Sequence, residues 1–147
     1  MKLFMLKKLP LALLVGLKII EVNDEKAVVS IPYKFLNKNP FQSIYFAALS
    51  MAAELSTGVL AMAAISEKSI PISMLVVEME SRFLKKAQTK IVFTCQQGFE
   101  IKQAVDKCLE SGAGQTVKVL SKGTDISGAE VAEFYFTWTF KPKSKSS

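Results

Sequence analysis

The 147-residue chain contains no histidine. That excludes Ser-His and Cys-His nucleophilic pairs and the usual His-ligated zinc sites. Any acid–base chemistry falls to a carboxylate, lysine, tyrosine or backbone dipole. There are two cysteines, Cys95 and Cys108, too few for a disulfide framework and at a spacing that matches no metal pattern. Both fall on apolar-periodic positions and are expected as buried free thiols. Charge is scarcest between Asn39 and Ser66, where one charged residue, Glu54, sits near the middle of an apolar, alanine-rich stretch. An ionised carboxylate held there without a partner costs several kcal/mol, on the order of a lost buried ion pair. Glu54 is therefore either matched by a buried cation, turned toward a wet crevice, or kept for chemistry.

Half of the residues are hydrophobic, which suits one compact domain with a full core, over residues 1–141. The end, KPKSKSS, reads as a basic, disordered tail over 142–147. A net charge of +6 favours acidic partners, nucleotides and phosphorylated cofactors among them. No basic–aromatic ladder is present, so nucleic acid is not expected as a partner. Two segments imitate membrane signals. The start, MKLFMLKKLPLALLVGL, places lysines before a short apolar run, but no small-residue cleavage site follows and the run passes into a strand. Residues 44–65 are long enough to span a bilayer, yet Glu54 lies at their midpoint and no lysine asymmetry flanks them. No membrane span is expected, and the location is expected to be cytoplasmic.

Hydrophobic periodicity predicts a short helix over 2–14, ending near Pro10 or just after it. Two strands follow around a turn at Asn23-Asp24-Glu25, the second alternating with Ala27, Val29, Ile31 and Tyr33 on one side. A polar loop over 34–38 leads to the long helix. Its start is expected at Asn39, with Pro40 in the first turn and Gln42 completing an Asn-x-x-Gln capping box. That helix is apolar nearly all round, and its alanines and Gly58 would let a sheet approach closely. Strands are predicted over 72–84 and 89–96, then a short amphipathic helix over 99–111 stopped by Gly112. The last two strands run over 115–122 and 129–141. Ala132, Phe134, Phe136, Trp138 and Phe140 form a core stripe on the final one. Hairpin connections are expected to dominate, giving an α+β fold with an antiparallel sheet around one central helix.

This order, with a long buried helix after the second strand, resembles the hotdog fold. The stretch from Asn39 to Glu54 is similar to a segment of the phenylacetate-pathway type of hotdog thioesterases. There an Asn opens the loop, a His-Gly-Gly enters the helix, and an acid one helical face later does the chemistry. The spacing fits Asn39 and Glu54 without a gap. Phe83-Leu84-Lys85-Lys86-Ala87 is similar to the family's aromatic-Leu-basic-Pro-Ala strand ending, and the helix over 99–111 resembles a poorly characterised, thioesterase-like branch. The element order covers nearly the whole chain, the specific motif about sixteen residues. This chain departs from it by carrying Tyr45-Phe46-Ala47 in place of His-Gly-Gly.

The resemblance implies hydrolysis of an acyl-CoA or acyl-carrier-protein thioester, with no metal and no organic cofactor, in a dimer or tetramer whose sites form between subunits. The catalytic set it implies is Glu54 as general base or nucleophile, the backbone amides of Phe46 and Ala47 as oxyanion donors, and Asn39 to orient the water or the acid. Helix capping explains Asn39 equally well. Gln42, Tyr45, Ser50, Arg82, Lys85 and Lys86 are the candidate substrate-binding residues, the three cations for coenzyme A phosphates. Backbone bonding by Ser50 and a solvated strand end at the cations are the plainer alternatives. On the same scaffold, a non-catalytic acyl-binding module is the competing function.

Overall fold

The computed structural model describes residues 2–144. Six strands form one sheet in the order β1 (Lys18–Val22), β2 (Ala27–Ile31), β4 (Ile91–Cys95), β5 (Gln115–Thr124), β6 (Glu130–Pro142) and β3 (Ile72–Phe83). Every neighbouring pair is antiparallel. Two connections are tight hairpins, β1–β2 and β5–β6. Strands β3 and β4, consecutive in the chain, lie at the far edge and in the inner half of the sheet respectively. The expectation that hairpins dominate is thus corrected, because pairing of β3 with β6 brings together residues some sixty positions apart that carry no local signal.

The sheet wraps α3 (Phe46–Ser66), where Ala48, Ala52, Ala53, Ala61 and Ala64 are buried with Leu49, Leu55 and Leu60. By length and composition α3 is long and apolar enough to cross a membrane, but most of it is buried inside the fold, as in a core helix. From β6, Phe134, Phe136, Trp138 and Phe140 point into the core in the alternation the sequence shows. Ala27, Val29 and Ile31 do the same from β2, and Ser30 is buried with them. A buried hydroxyl pair, Ser56 Oγ and Ser121 Oγ at 2.7 Å, ties α3 to β5. Both cysteines are buried and free, and burial pushes the Cys95 thiol up to about 11.

Helix α4 (Gly98–Ser111) packs on β5, β6 and α3. Its first amide donates to the Glu25 carbonyl in the β1–β2 turn at 3.0 Å, and Gly112 ends it in the left-handed conformation, φ 68°. The helix expected over 2–14 is two, α1 (Lys2–Lys8) and α2 (Pro10–Leu14), parted at Leu9 where Pro10 begins the second. Met5, Ala12 and Leu17 anchor the segment in the core. At the other end β6 runs through Pro142, and the Lys143 amide donates to the Pro71 carbonyl at 2.9 Å. Of the tail expected to be disordered, residues 145–147 lie outside the described residues.

One expectation at the centre of the fold is overturned. Helix α3 begins at Phe46 with Tyr45 as its N-cap, seven residues after Asn39. Asn39 Oδ1 accepts from the Phe41 and Ser43 amides at 2.9 and 3.2 Å, which closes a local turn. Gln42 then stands at φ 61° and cannot continue a helix. The amides of Ile44 and Tyr45 donate outward, to the carbonyls of Ala87 and Asn37. Asn-x-x-Gln is here a turn, not a capping box.

Candidate functional site

The chain approaches α3 through the Asn39 turn, which is rigid. Asn39 Nδ2 lies 2.9 Å from Ser43 Oγ and Asn39 Oδ1 3.1 Å from the same hydroxyl, so both ends of the carboxamide are engaged within its own loop. The first helical amides are treated differently. Tyr45 O accepts from Ala48 and Leu49, and among the described residues the amides of Phe46 and Ala47 have no acceptor. Two free N–H groups therefore stand at the positive end of a 21-residue helix, a place suited to a developing negative charge.

Beside them is a cavity of about 380 Å³, lined among others by Asn39, Ser43, Phe46, Phe83, Lys85 and Lys86. The Phe46 ring meets Phe83 edge-on at 6.3 Å, and Tyr45 meets Phe46 at 5.1 Å. Lys85 is already engaged, 2.6 Å from Asp125 Oδ2. Its ammonium, with the Ser127 hydroxyl, holds the Asp125 carboxyl well below the usual carboxylate range. Lys86 Nζ reaches the Phe41 carbonyl at 3.5 Å. Arg82 is exposed on β3 opposite Glu133 and does not line the cavity. The structure thus gathers Asn39, Phe46, Lys85 and Lys86, and leaves out Arg82.

Glu54 lies elsewhere. Ala47, Ser50, Met51, Glu54, Met62 and Ile65 form a half-buried stripe along one side of α3. Glu54 lines a second cavity, of about 320 Å³, with Lys8, Leu11, Ala12, Met51 and Leu55. No hydrogen bond or ion pair reaches its carboxylate among the described residues, Lys8 included, and burial raises its pKa. The surroundings are built for it. Gly58, one turn on, leaves open space that the carboxylate fills, and the Trp138 ring forms the floor. Trp138 Nε1 donates to Thr57 Oγ1 at 3.0 Å, and that hydroxyl donates to the Glu54 carbonyl oxygen at 2.9 Å.

Eight residues separate Phe46 from Glu54, about 12 Å along the axis at 1.5 Å each. One chain therefore does not bring the free amides and the acid to a common atom. Of the remaining candidates, Ser50 donates to the Phe46 carbonyl at 2.9 Å, the plainer of its two readings. Gln42 contributes its carbonyl, which accepts from Tyr33 and Gln88, and its side chain is exposed. Tyr45 is exposed, its ring against that of Phe46. Gly58 and Trp138 were expected only as packing residues and Thr57 was not singled out, although a glycine four residues after a lone acid in a helix was a readable signal. The Asp125 partner of Lys85 comes from a distant turn and had none.

A six-stranded antiparallel sheet around a long central helix is the hotdog fold, and solved structures bear this out. The chain is similar to a Pseudomonas aeruginosa protein of unknown function described as a probable thioesterase, at 23% identity and TM-score 0.81, over 95% of this chain and 92% of that one. The PaaI protein of the Escherichia coli phenylacetic acid degradation operon matches at 18% identity and TM-score 0.67, over 97% and 91%. A thioesterase of Haemophilus influenzae matches at 9% identity and TM-score 0.65, over 95% and 88%. No curated protein matches the sequence. Residues 1–140 match the model of a domain of unknown function, DUF4442, and the chain belongs to that family.

Proposed function

We propose that the protein hydrolyses an acyl thioester, carried by coenzyme A or an acyl-carrier protein, in a site completed by a second copy of the chain. The observation that carries this reading is Glu54: an unpaired, half-buried carboxylate, raised in pKa, beside an open cavity. A structural acid in such a place would be expected to have found a cation. Strand β3 is an open sheet edge with Leu75, Val77, Met79 and Phe83 exposed, a surface soluble proteins normally cover. Pairing of this edge with its two-fold mate sets two copies of α3 antiparallel. Glu54 of one copy then approaches the free amides of the other, which closes the 12 Å gap.

In that arrangement the Phe46 and Ala47 amides donate to the thioester carbonyl oxygen and hold the tetrahedral oxyanion. Glu54 takes a proton from water as the water oxygen attacks the carbonyl carbon. When the intermediate collapses the C–S bond breaks, and Glu54 returns the proton to the thiolate. Alternatively the carboxylate attacks the carbonyl carbon, the C–S bond breaks to release the thiolate, and water hydrolyses the resulting anhydride, its proton passing to the thiolate. Asn39 acts as a positioning residue, by holding the loop that presents the amides. Lys86, with Lys85 at the rim, meets the phosphates of the carrier, while Gln42, Tyr45 and Ser50 border the approach and Arg82, outside the cavity, takes no part. Phe46 and the apolar stripe of α3 suit a lipophilic acyl group, and a cytoplasmic setting supplies such esters.

The alternative, an acyl-binding module without turnover, is favoured by one feature, the Phe46 ring set against Phe83 where a glycine would leave room. A thiol-release assay across a panel of acyl-CoA esters decides between them. Turnover abolished by Glu54→Gln supports hydrolysis. Saturable binding with no thiol released supports the module.

A further inference from the structure

The first twenty residues hold four lysines, Lys2, Lys7, Lys8 and Lys18, and no acid. They supply most of the chain's +6 charge and take no part in the chemistry above apart from the wall that Lys8 and its neighbours give the Glu54 cavity. In α1 the buried residue is Met5. At 100° per residue the arc opposite it carries Leu6, Leu3, Lys7 and Phe4. In α2 Ala12 is buried, and Leu11 and Leu14 share the outward side three residues apart. Leu3, Phe4, Leu6, Leu11 and Leu14 are between 37 and 63% exposed. Five large apolar side chains left in water among lysines, on a segment otherwise folded into the core, is a costly arrangement for a surface that meets only solvent. A further cavity, of about 320 Å³, opens beside them, lined by Met5, Leu13, Leu17 and Ile19 with Lys2 and Lys18. Apolar walls with two ammonium groups suit an acyl chain bearing an anionic head.

We infer that α1 and α2 form a docking face for an anionic phospholipid surface, on which the leucines and Phe4 enter the headgroup–acyl boundary and the lysines meet the phosphates. Charge selects this partner over a second copy of the chain, since two such faces would set six lysines, Lys2, Lys7 and Lys8 from each, against each other with no acid in either helix pair. Lys8 and Leu11 also wall the Glu54 cavity, so the inference is tested at Lys2, Leu3, Leu6 and Lys7, which line neither that cavity nor β3.

Sedimentation of the full chain with phosphatidylcholine vesicles, with and without phosphatidylglycerol, tests it. The protein is expected to pellet with the anionic vesicles alone and to be released by salt. Leu3→Glu with Leu6→Glu is expected to weaken that binding at least about tenfold. Lys2→Gln with Lys7→Gln is expected to remove the preference for phosphatidylglycerol while leaving thiol release and the melting temperature unchanged. Equal pelleting of wild type and both variants, or none by the wild type, overturns the inference. So does a fall in solution mass for the leucine variant without any vesicle binding, which would assign the face to self-association.

Discussion

The carboxylate of Glu54 is folded back over Gly58: its Oε1 lies 3.2 Å from where a β-carbon on Gly58 would stand. A methyl there presses the acid out by a few tenths of an ångström, and a flexible glutamate can yield. Alanine is also the better helix former, by up to about 1 kcal/mol. Gly58→Ala is therefore expected to raise the melting temperature slightly while lowering kcat, with KM little changed. Thermal unfolding and steady-state thiol release, measured together, check this.

Glu54→Gln removes the proton carrier but keeps the shape. Turnover is expected to fall about 10²- to 10⁴-fold. Stability should move the other way, with a definite pH dependence. Burial raises the folded-state pKa of Glu54 above that of an exposed glutamate, so the fold binds a proton that the unfolded chain releases. The wild type is then most stable below the unfolded pKa and loses stability as pH rises through the folded one. The glutamine variant should match wild type at low pH and be the more stable of the two at neutral pH, as melting curves across pH will show.

Asp125 titrates in the opposite sense. Lys85 and Ser127 hold it well below 3.8, so the stabilisation it brings is present above that value and is lost as pH falls toward the folded pKa. Its side chain also accepts from the Ser127 and Ala129 amides. Asp125→Asn should lower the melting temperature at neutral pH and flatten its decline in acid. It also frees Lys85 at the cavity rim, and KM for a coenzyme A ester should fall if that cation meets phosphate.

The position of Phe46 permits a backbone test of the oxyanion role. It is the first residue of α3, and Tyr45 before it has φ −57° and ψ 132°, the extended geometry a following proline requires. Phe46→Pro should keep the helix, delete one free N–H, and reduce kcat about 10²- to 10³-fold. Loss of the ring contributes to that figure, so Phe46→Ala is the reference. Mixed subunits then test the shared site. Glu54→Gln and Phe46→Pro chains, unfolded and refolded together, should recover about a quarter of wild-type activity, since half of random dimers are mixed and each holds one intact site.

The exposed edge gives a last expectation. Leu75→Lys with Met79→Lys on β3 should yield a monomer by light scattering and remove thiol release, with the far-UV spectrum unchanged. A monomer of full activity would place the whole reaction within one chain.

Much of this was legible in the sequence because burial writes periodicity into it. Phe134, Phe136, Trp138 and Phe140 alternate as an inward strand face must, and Ile101, Ala104, Val105 and Cys108 recur as the buried side of α4. Glu54 was conspicuous because nothing else charged lies near it in the chain. What was not legible depended on distance or on degenerate chemistry. The place of β3 at the sheet edge follows from contacts with β6, far away in sequence. Asn39 has the same donors and acceptors whether it caps a helix or closes a turn, and the left-handed Gln42 decided the matter. The Lys85–Asp125 pair joins two loops that no local pattern connects.

The buried hydroxyl link from Ser56 to Ser121 sets the angular position of α3 within its sleeve. A slip of one residue would swing every side chain through about 100°, carrying Glu54 off its open stripe and into packed aromatic rings. Two small polar groups on the side of the helix opposite Glu54 thus act as an index pin for where the acid points. Weakening that pin would change the aim of the carboxylate before it changed the shape of the protein.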